Sequence, residues 1–191
     1  MIKGIVTAGE KEMALGIKLL ILDVDGVLTD GGIITGSTME GVPIELKSFN
    51  SQDGLGLRLV KTCGIELAIV SGRTSLATKC RAEELGILEC HQVSIGDKLP
   101  TVEKMLKQKN YGWESVCMVG DDLVDLPVLE KSILPVAVAN AVPEVRDICK
   151  WITDVPGGSG AVREVCERLI KARGQWEQAL DTLLLPVGSP E

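Results

Sequence analysis

A chain of 191 residues, 45% apolar and only 3% aromatic, is long enough to bury one sizeable core and too apolar to be disordered. Its net charge of −7 excludes a nucleic-acid surface of basic patches and stacking aromatics, so any anion it handles must meet locally concentrated positive charge or a metal. The six cysteines form no CxxC pair, and any Ser-His-Asp or multi-histidine site would rest on His91 alone. Oxygen ligands are the plentiful kind, which favours Mg²⁺ over zinc.

In chain order, Met1 to Gly16 reads as a lead-in with a short helix around Glu10 to Leu15. The start carries no apolar signal segment, and no run approaches the about 20 residues of a membrane span. These features predict a reducing cytoplasmic setting without membrane insertion. The run Leu19-Leu20-Ile21-Leu22 lacks alternation and predicts a strand covered on both faces, as in a parallel sheet. Asp23 and Asp25 follow it at i, i+2, on one side of the strand's end. Two like charges at the edge of an apolar core require a cation, a proton or a donor network; the alternative is a turn with solvated aspartates.

Thr29 to Ser48 is punctuated by Gly31-Gly32, Gly36 and Gly41 between the apolar pieces Ile33-Ile34 and Val42 to Leu46, a β-hairpin flap after strand one. Such an apolar flap is expected to pack on something, with a partner subunit as the candidate. Ser51 to Cys63 predicts a helix with Ser51 as N-cap. Ile65 to Val70 is a buried strand ending at Ser71-Gly72-Arg73, and Ser75 to Leu85 a helix closed by Gly86. Ile87 to Gln92 is a short strand containing His91, read as structural. Leu99 to Lys109 is a helix with Pro100 in its first turn and Lys104, Lys107 and Lys109 on a solvated face. Val116 to Val119 is a strand ending in Gly120-Asp121-Asp122, followed by a helical turn over Asp125 to Lys131 and a strand over Pro135 to Ala139. A short helix, Pro143 to Cys149, and a brief strand, Trp151-Ile152, precede the Gly157-Gly158-Ser159-Gly160 loop and a last helix, Ala161 to Arg173. The alternation predicts an α/β fold: a Rossmann-like, doubly wound parallel sheet in one domain over residues 1–173, with a weakly patterned tail over 174–191.

Ligands of such sheets bind beyond the carboxyl ends of the strands. There the sequence puts Asp23 and Asp25, Ser71 and Arg73, Lys98 at a helix start, and Asp121 and Asp122. Carboxylates suit Mg²⁺, while Ser, Lys and Arg suit phosphate. No GxxxxGK[ST] loop is present. The chemistry that fits is phosphoryl transfer through an aspartyl-phosphate.

Asp23-Val24-Asp25-Gly26-Val27-Leu28-Thr29 resembles the first motif of the haloacid dehalogenase superfamily, Ser71-Gly72-Arg73 its second, Lys98 its third, and Gly120-Asp121-Asp122-Leu123-Val124-Asp125 its fourth. With Phe49-Asn50-Ser51-Gln52-Asp53-Gly54 and Gly157 to Val165, roughly Lys18 to Arg173 resembles the family of 3-deoxy-D-manno-octulosonate 8-phosphate phosphatases. The resemblance implies a capless, Mg²⁺-dependent phosphatase that forms homotetramers, completes its sites with neighbouring subunits and supplies the sugar acid of the lipopolysaccharide inner core. It implies Asp23 as nucleophile and metal ligand, and Asp25 as general acid/base and metal ligand through its backbone carbonyl. Asp121 would be the second carboxylate ligand, with Asp122 and Asp125 supporting. Lys98, Ser71 and Gly72 would bind phosphate. Asn50, Ser51, Gln52, Asp53, Gly54, Arg58, Arg73 and Arg81 would line the substrate site, although arginines on helices are most often solvated. One departure is visible: many relatives carry arginine where Ser159 stands, which leaves open any charge-based role of that loop. Two rivals remain, a phosphatase of a nine-carbon 2-keto-sugar-acid phosphate and a silent oligomerisation module; Arg73 favours the eight-carbon substrate, and intact Asp23, Asp25, Lys98 and Asp121 argue against the module.

Overall fold

The computed structural model describes residues 8–94 and 97–184. A lead-in helix α1 (Ala8–Gly16) precedes β1 (Leu19–Leu22), then a hairpin of β2 (Ile34–Ser37) and β3 (Pro43–Leu46). The chain continues as α2 (Ser51–Thr62), β4 (Glu66–Ser71), α3 (Leu76–Glu84), β5 (Glu89–Gln92), α4 (Lys98–Lys109), β6 (Val116–Gly120) and α5 (Leu126–Leu129). It closes with β7 (Leu134–Ala137), α6 (Pro143–Ile148), β8 (Trp151–Ile152), α7 (Ala161–Ala172) and α8 (Trp176–Leu184).

The six-stranded sheet has the order β5-β4-β1-β6-β7-β8, with every neighbouring pair parallel. β1 is central because Leu19 to Leu22 are buried on both faces, which is why its sequence shows no alternation. Leu22 stands level with Ile69 of β4 on one side and Val119 of β6 on the other. Strand order reverses between β1 and β6, so the crevice that this topology offers to a ligand opens where Asp23 and Asp121 leave the sheet. Two groups of helices flank the sheet: α2, α7 and α8 pack on one another, and α4 packs on α5.

Local details sharpen the sequence reading. The cap of α2 is Asn50, not Ser51: its extended backbone lets the side chain accept from the Gln52 N–H at 2.8 Å, and Ser51 becomes the first helical residue. β7 starts at Leu134 and ends at Ala137, earlier than the expected Pro135 to Ala139; past its end the Ala139 N–H is taken by the Thr153 hydroxyl at 3.0 Å. Beyond Gly174 the segment expected to be weakly patterned forms α8, which buries Ala179 and packs on α2 and α7. Its remaining residues, 185–191, lie outside those described. Among the described residues no helix is long and apolar enough to cross a membrane.

Candidate active site

The site grows from the end of β1. The Asp23 N–H extends the ladder by donating to the Val119 carbonyl at 3.1 Å, so the side chain emerges at the switch point, 5% exposed. The chain then turns tightly. The N–H groups of Leu28 and Thr29 both donate to the Val24 carbonyl at 3.0 Å, and the Thr29 hydroxyl donates to it at 3.2 Å. Across the crevice β6 ends at Gly120, and a short 3₁₀ turn over Leu123–Asp125 swings Asp125 back under the sheet edge. Its Oδ2 accepts from the Asp121 N–H at 3.1 Å. From the start of α4, Lys98 donates to Asp23 Oδ1 at 2.8 Å and to Asp125 Oδ1 at 2.6 Å.

Electrostatics follow from that convergence. Burial, and then the nearby Asp125 charge, push the Asp23 carboxyl up to about 6, with Lys98 opposing. Burial, followed by the Asp23, Asp125 and Asp122 charges, pushes Asp121 up to about 8. Burial alone would lower the Lys98 ammonium, but its two carboxylate partners outweigh burial and raise it, so it stays charged. Asp23, Asp121 and Asp125 each bring one oxygen within 4.8 Å of the others. Asp121 Oδ1 is buried without a hydrogen-bond partner. Crowded carboxylates and an orphaned acceptor fit a hard divalent cation that takes oxygen ligands. Asp125 therefore joins the cluster, whereas Asp122 is exposed and spends Oδ1 on the Leu123 N–H at 2.7 Å.

Asp25 faces a different environment. Its Oδ1 meets Lys47 Nζ, and its Oδ2 lies 3.3 Å from Arg73 Nη1. Lys47 and Glu45 belong to the hairpin's end and were not singled out from the sequence; the signal was there in Ile44-Glu45-Leu46-Lys47, whose charged residues alternate with exposed apolar ones. Ser71 ends β4 buried, and its hydroxyl accepts from the Arg73 N–H at 3.3 Å.

The remaining expected residues divide. Asn50 Nδ2 donates to the Gly158 carbonyl at 3.4 Å, tying the start of α2 to the glycine loop. Ser51 and Gln52 are exposed beside it, and Gly54 leaves room for Arg81, whose Nη2 would lie 2.8 Å from an added Cβ. Arg81 donates to the Asn50 carbonyl at 3.2 Å and stacks over Phe49. Arg58, one turn along α2 from Gly54, lines a shallow groove with Arg81 and Glu84. Asp53 is turned away from solvent: it is 1% exposed and accepts from the Arg163 N–H at 2.7 Å, capping α7. Only Oδ1 is engaged there; Oδ2 is buried without a hydrogen-bond partner. His91 stands on β5 with Nε2 2.9 Å from Glu89, apart from the carboxylate cluster. Lys109, expected on a solvated face, is instead paired with Glu66 at 2.7 Å and Glu89 at 3.0 Å. All six cysteines are free thiols. A further unanticipated residue is Asn140, which donates to the Gly26 carbonyl at 3.0 Å and accepts from the Gly157 N–H at 2.7 Å, clamping the glycine loop to the turn after Asp25.

Comparison with known proteins agrees with this geometry. Residues 95–164 match the haloacid dehalogenase-like hydrolase family. The 3-deoxy-D-manno-octulosonate 8-phosphate phosphatase of Escherichia coli K12 is 44% identical over 176 residues, 92% of this chain and 91% of that protein. The Yersinia pestis enzyme of the same name is 41% identical over 168 residues, 88% of this chain and 87% of its own. Among solved structures, the Moraxella catarrhalis phosphatase of that name, in complex with magnesium, phosphate and KDO, superposes with a TM-score of 0.83 at 39% identity, covering 91% of this chain and 97% of that one. The cobalt-bound Haemophilus influenzae phosphatase gives a TM-score of 0.79 at 32% identity, over 88% and 98%.

Proposed function

The chain belongs to the 3-deoxy-D-manno-octulosonate 8-phosphate phosphatase family of the haloacid dehalogenase-like hydrolases, and from that premise we propose that it hydrolyses this sugar-acid phosphate in a Mg²⁺-dependent reaction. The observation that carries the reading is the meeting of Asp23, Asp121, Asp125 and Lys98 at the switch point, with Asp25 alongside at the hairpin.

In the proposed reaction Asp23 attacks phosphorus in line, the bond from phosphorus to the sugar oxygen breaks, and Asp25 gives that oxygen its proton. Asp25 then takes a proton from water, which attacks the aspartyl-phosphate, releases inorganic phosphate and restores the Asp23 carboxylate. Asp23 and Asp121, with the Asp25 carbonyl, would hold Mg²⁺, which when bound offsets the repulsion between carboxylate and phosphate. Asp125 holds Lys98 and the Asp121 backbone in place. Lys98, Ser71 and Gly72 receive the phosphate oxygens as charge accumulates. Asn50, Ser51, Gln52, Asp53, Gly54, Arg58, Arg73 and Arg81 form the proposed substrate site, and a guanidinium suits the carboxylate of the sugar acid.

The domain is read as capless, its site completed by neighbours in a homotetramer. Ile33, Ile34, Met39, Val42, Ile44 and Leu46 are exposed along the hairpin and its flanks, which supports a partner subunit there. Free thiols suit a reducing cytoplasm, and the product would feed the lipopolysaccharide inner core.

Phosphate release from eight- and nine-carbon sugar-acid phosphates, with and without Mg²⁺, tests the reading. Faster turnover of the eight-carbon ester, dependence on Mg²⁺ and loss of at least about four orders of magnitude in a folded Asp23→Asn variant are expected. Preference for the nine-carbon ester would reassign the substrate, and no turnover of either by folded protein would leave the oligomerisation module. Sedimentation as a monomer would remove the shared site.

A further inference from the structure

On the hairpin, Ile44 and Leu46 are exposed, while Glu45 and Lys47 turn to Asp25 and Arg73. Arg73 meets two carboxylates of its own chain and forks onto neither: Nη1 lies 3.3 Å from Asp25 Oδ2, and Nη2 3.5 Å from Glu45 Oε1. A guanidinium that grips one carboxylate does so through two parallel bonds of about 2.7–2.9 Å. Both contacts here are longer and go to different partners, and the Arg73 side chain is 38% exposed, so an arriving carboxylate can replace a loose contact with a fork. Glu45 Oε1 is buried without a bond of hydrogen-bond geometry; it is held beside cations, not satisfied by them. Lys47, whose side chain is 1% exposed, holds its ammonium 3.2 Å from that oxygen, so Glu45 keeps a cation when it lets Arg73 go.

We propose that Glu45 is a specificity-determining residue: it occupies Arg73 in the free protein as a stand-in for the carboxylate of the substrate, and yields the guanidinium when that carboxylate arrives. The proposal deepens the sugar-acid phosphate reading and rests on it. A substrate that brings a carboxylate offsets the loss of the Glu45 contact with its own fork. A phosphate ester without one has nothing to exchange and leaves the Glu45–Arg73 pair closed.

The test compares kcat and KM for the eight-carbon sugar-acid phosphate and for p-nitrophenyl phosphate in the parent protein, Glu45→Gln, Arg73→Ala and the double variant. Freed of competition from a loose, partly buried ion pair, Glu45→Gln should lower KM for the sugar acid about two- to fivefold, with kcat moving less. The ratio of kcat/KM for the sugar acid to that for p-nitrophenyl phosphate should rise by the same factor. In the Arg73→Ala background the Glu45→Gln change should have no effect on that ratio. An unchanged or higher KM in Glu45→Gln overturns the proposal, and so does an equal shift without Arg73. Parent protein that turns over p-nitrophenyl phosphate but not the sugar acid would remove the substrate reading and the proposal together, a result distinct from an unmoved KM.

Discussion

Lys98 Nζ lies 2.8 Å from Asp23 Oδ1 with both side chains nearly out of solvent, so the cation and the proposed nucleophile are delivered as one unit. Removing one partner of a buried pair leaves the other charge uncompensated, at a cost of about 3–5 kcal/mol. Lys98→Met in metal-free protein should therefore lower the melting temperature by about 6–20 °C for a domain of this size. Mg²⁺ should restore part of that loss by supplying charge to Asp23, and kcat should fall about 10²–10³-fold from the loss of the proposed donor to phosphate. Thermal melts with and without Mg²⁺ check the first expectation. A melting temperature unmoved by the substitution would mean that the pair is not formed in solution.

Asp121 gives the pH dependence of metal binding. Its carboxyl is raised from 3.8 to about 8 by burial first and then by the neighbouring carboxylates. Between those values the folded state binds more protons than the unfolded one, so the metal-free protein loses stability as pH rises from about 4 to about 8. A cation must displace that proton. Mg²⁺ affinity should thus climb up to about pH 8, with about one proton released per ion at pH 7. Calorimetric titration in two buffers of different ionisation heat measures it, and metal binding without proton release at pH 7 would place the ion elsewhere.

Asp53 caps α7 from within the protein, at 2.7 Å from the Arg163 N–H. Burial raises its carboxyl from 3.8 to about 6 against the pull of the Arg163 N–H, Arg81 and Arg163. A raised folded pKa makes the ionised form a penalty, absent below pH 3.8 and complete above about 6. Asp53→Asn keeps the acceptor and removes the charge, so its melting temperature should match the parent at pH 4 and exceed it at pH 8. A variant less stable than the parent at pH 8 would show that the charge on the helix N-terminus outweighs burial.

Gly157 marks the closest approach of the glycine loop to the turn that follows Asp23 and Asp25. A Cβ there would stand 1.8 Å from the Gly26 carbonyl oxygen and 2.9 Å from that of Thr29, both backbone atoms with little room to move. Gly157→Ala should cost about 1–3 kcal/mol, as overpacking does. It should also lower kcat by shifting the turn that carries Asp25, whereas Ser159→Ala, at an exposed position of the same loop, should be near neutral in stability. Melting temperature and turnover measured on both variants separate the two positions.

The core of this site was legible because its signals are local. An unbroken apolar run ending in Asp23 and Asp25, and later strands ending in Ser71 and Asp121, are properties of short segments, and parallel topology fixes which strand ends can face a ligand. Segments that pack weakly or late were harder to read. α8 hides its role because only Ala179 is deeply buried, and the hairpin's inner charges gain meaning only when β3 is set beside Asp25.

The sequence by itself determined the α/β order of elements, the four motifs and which carboxylates, hydroxyl and cations stand at strand ends and helix starts. Only the tertiary structure decided their partners. Asp122 and Asp125 sit three residues apart, yet one 3₁₀ turn sends the first to solvent and the second to Lys98. Asp53 lies in a substrate-like motif, yet it serves an α7 N–H from 110 residues away. Lys47, remote in sequence from Asp25, became its ion-pair partner. The physical reason is the same in each case: a carboxylate's role is set by the charges and donors that long-range packing brings within a few ångströms, and that packing has no period in the chain.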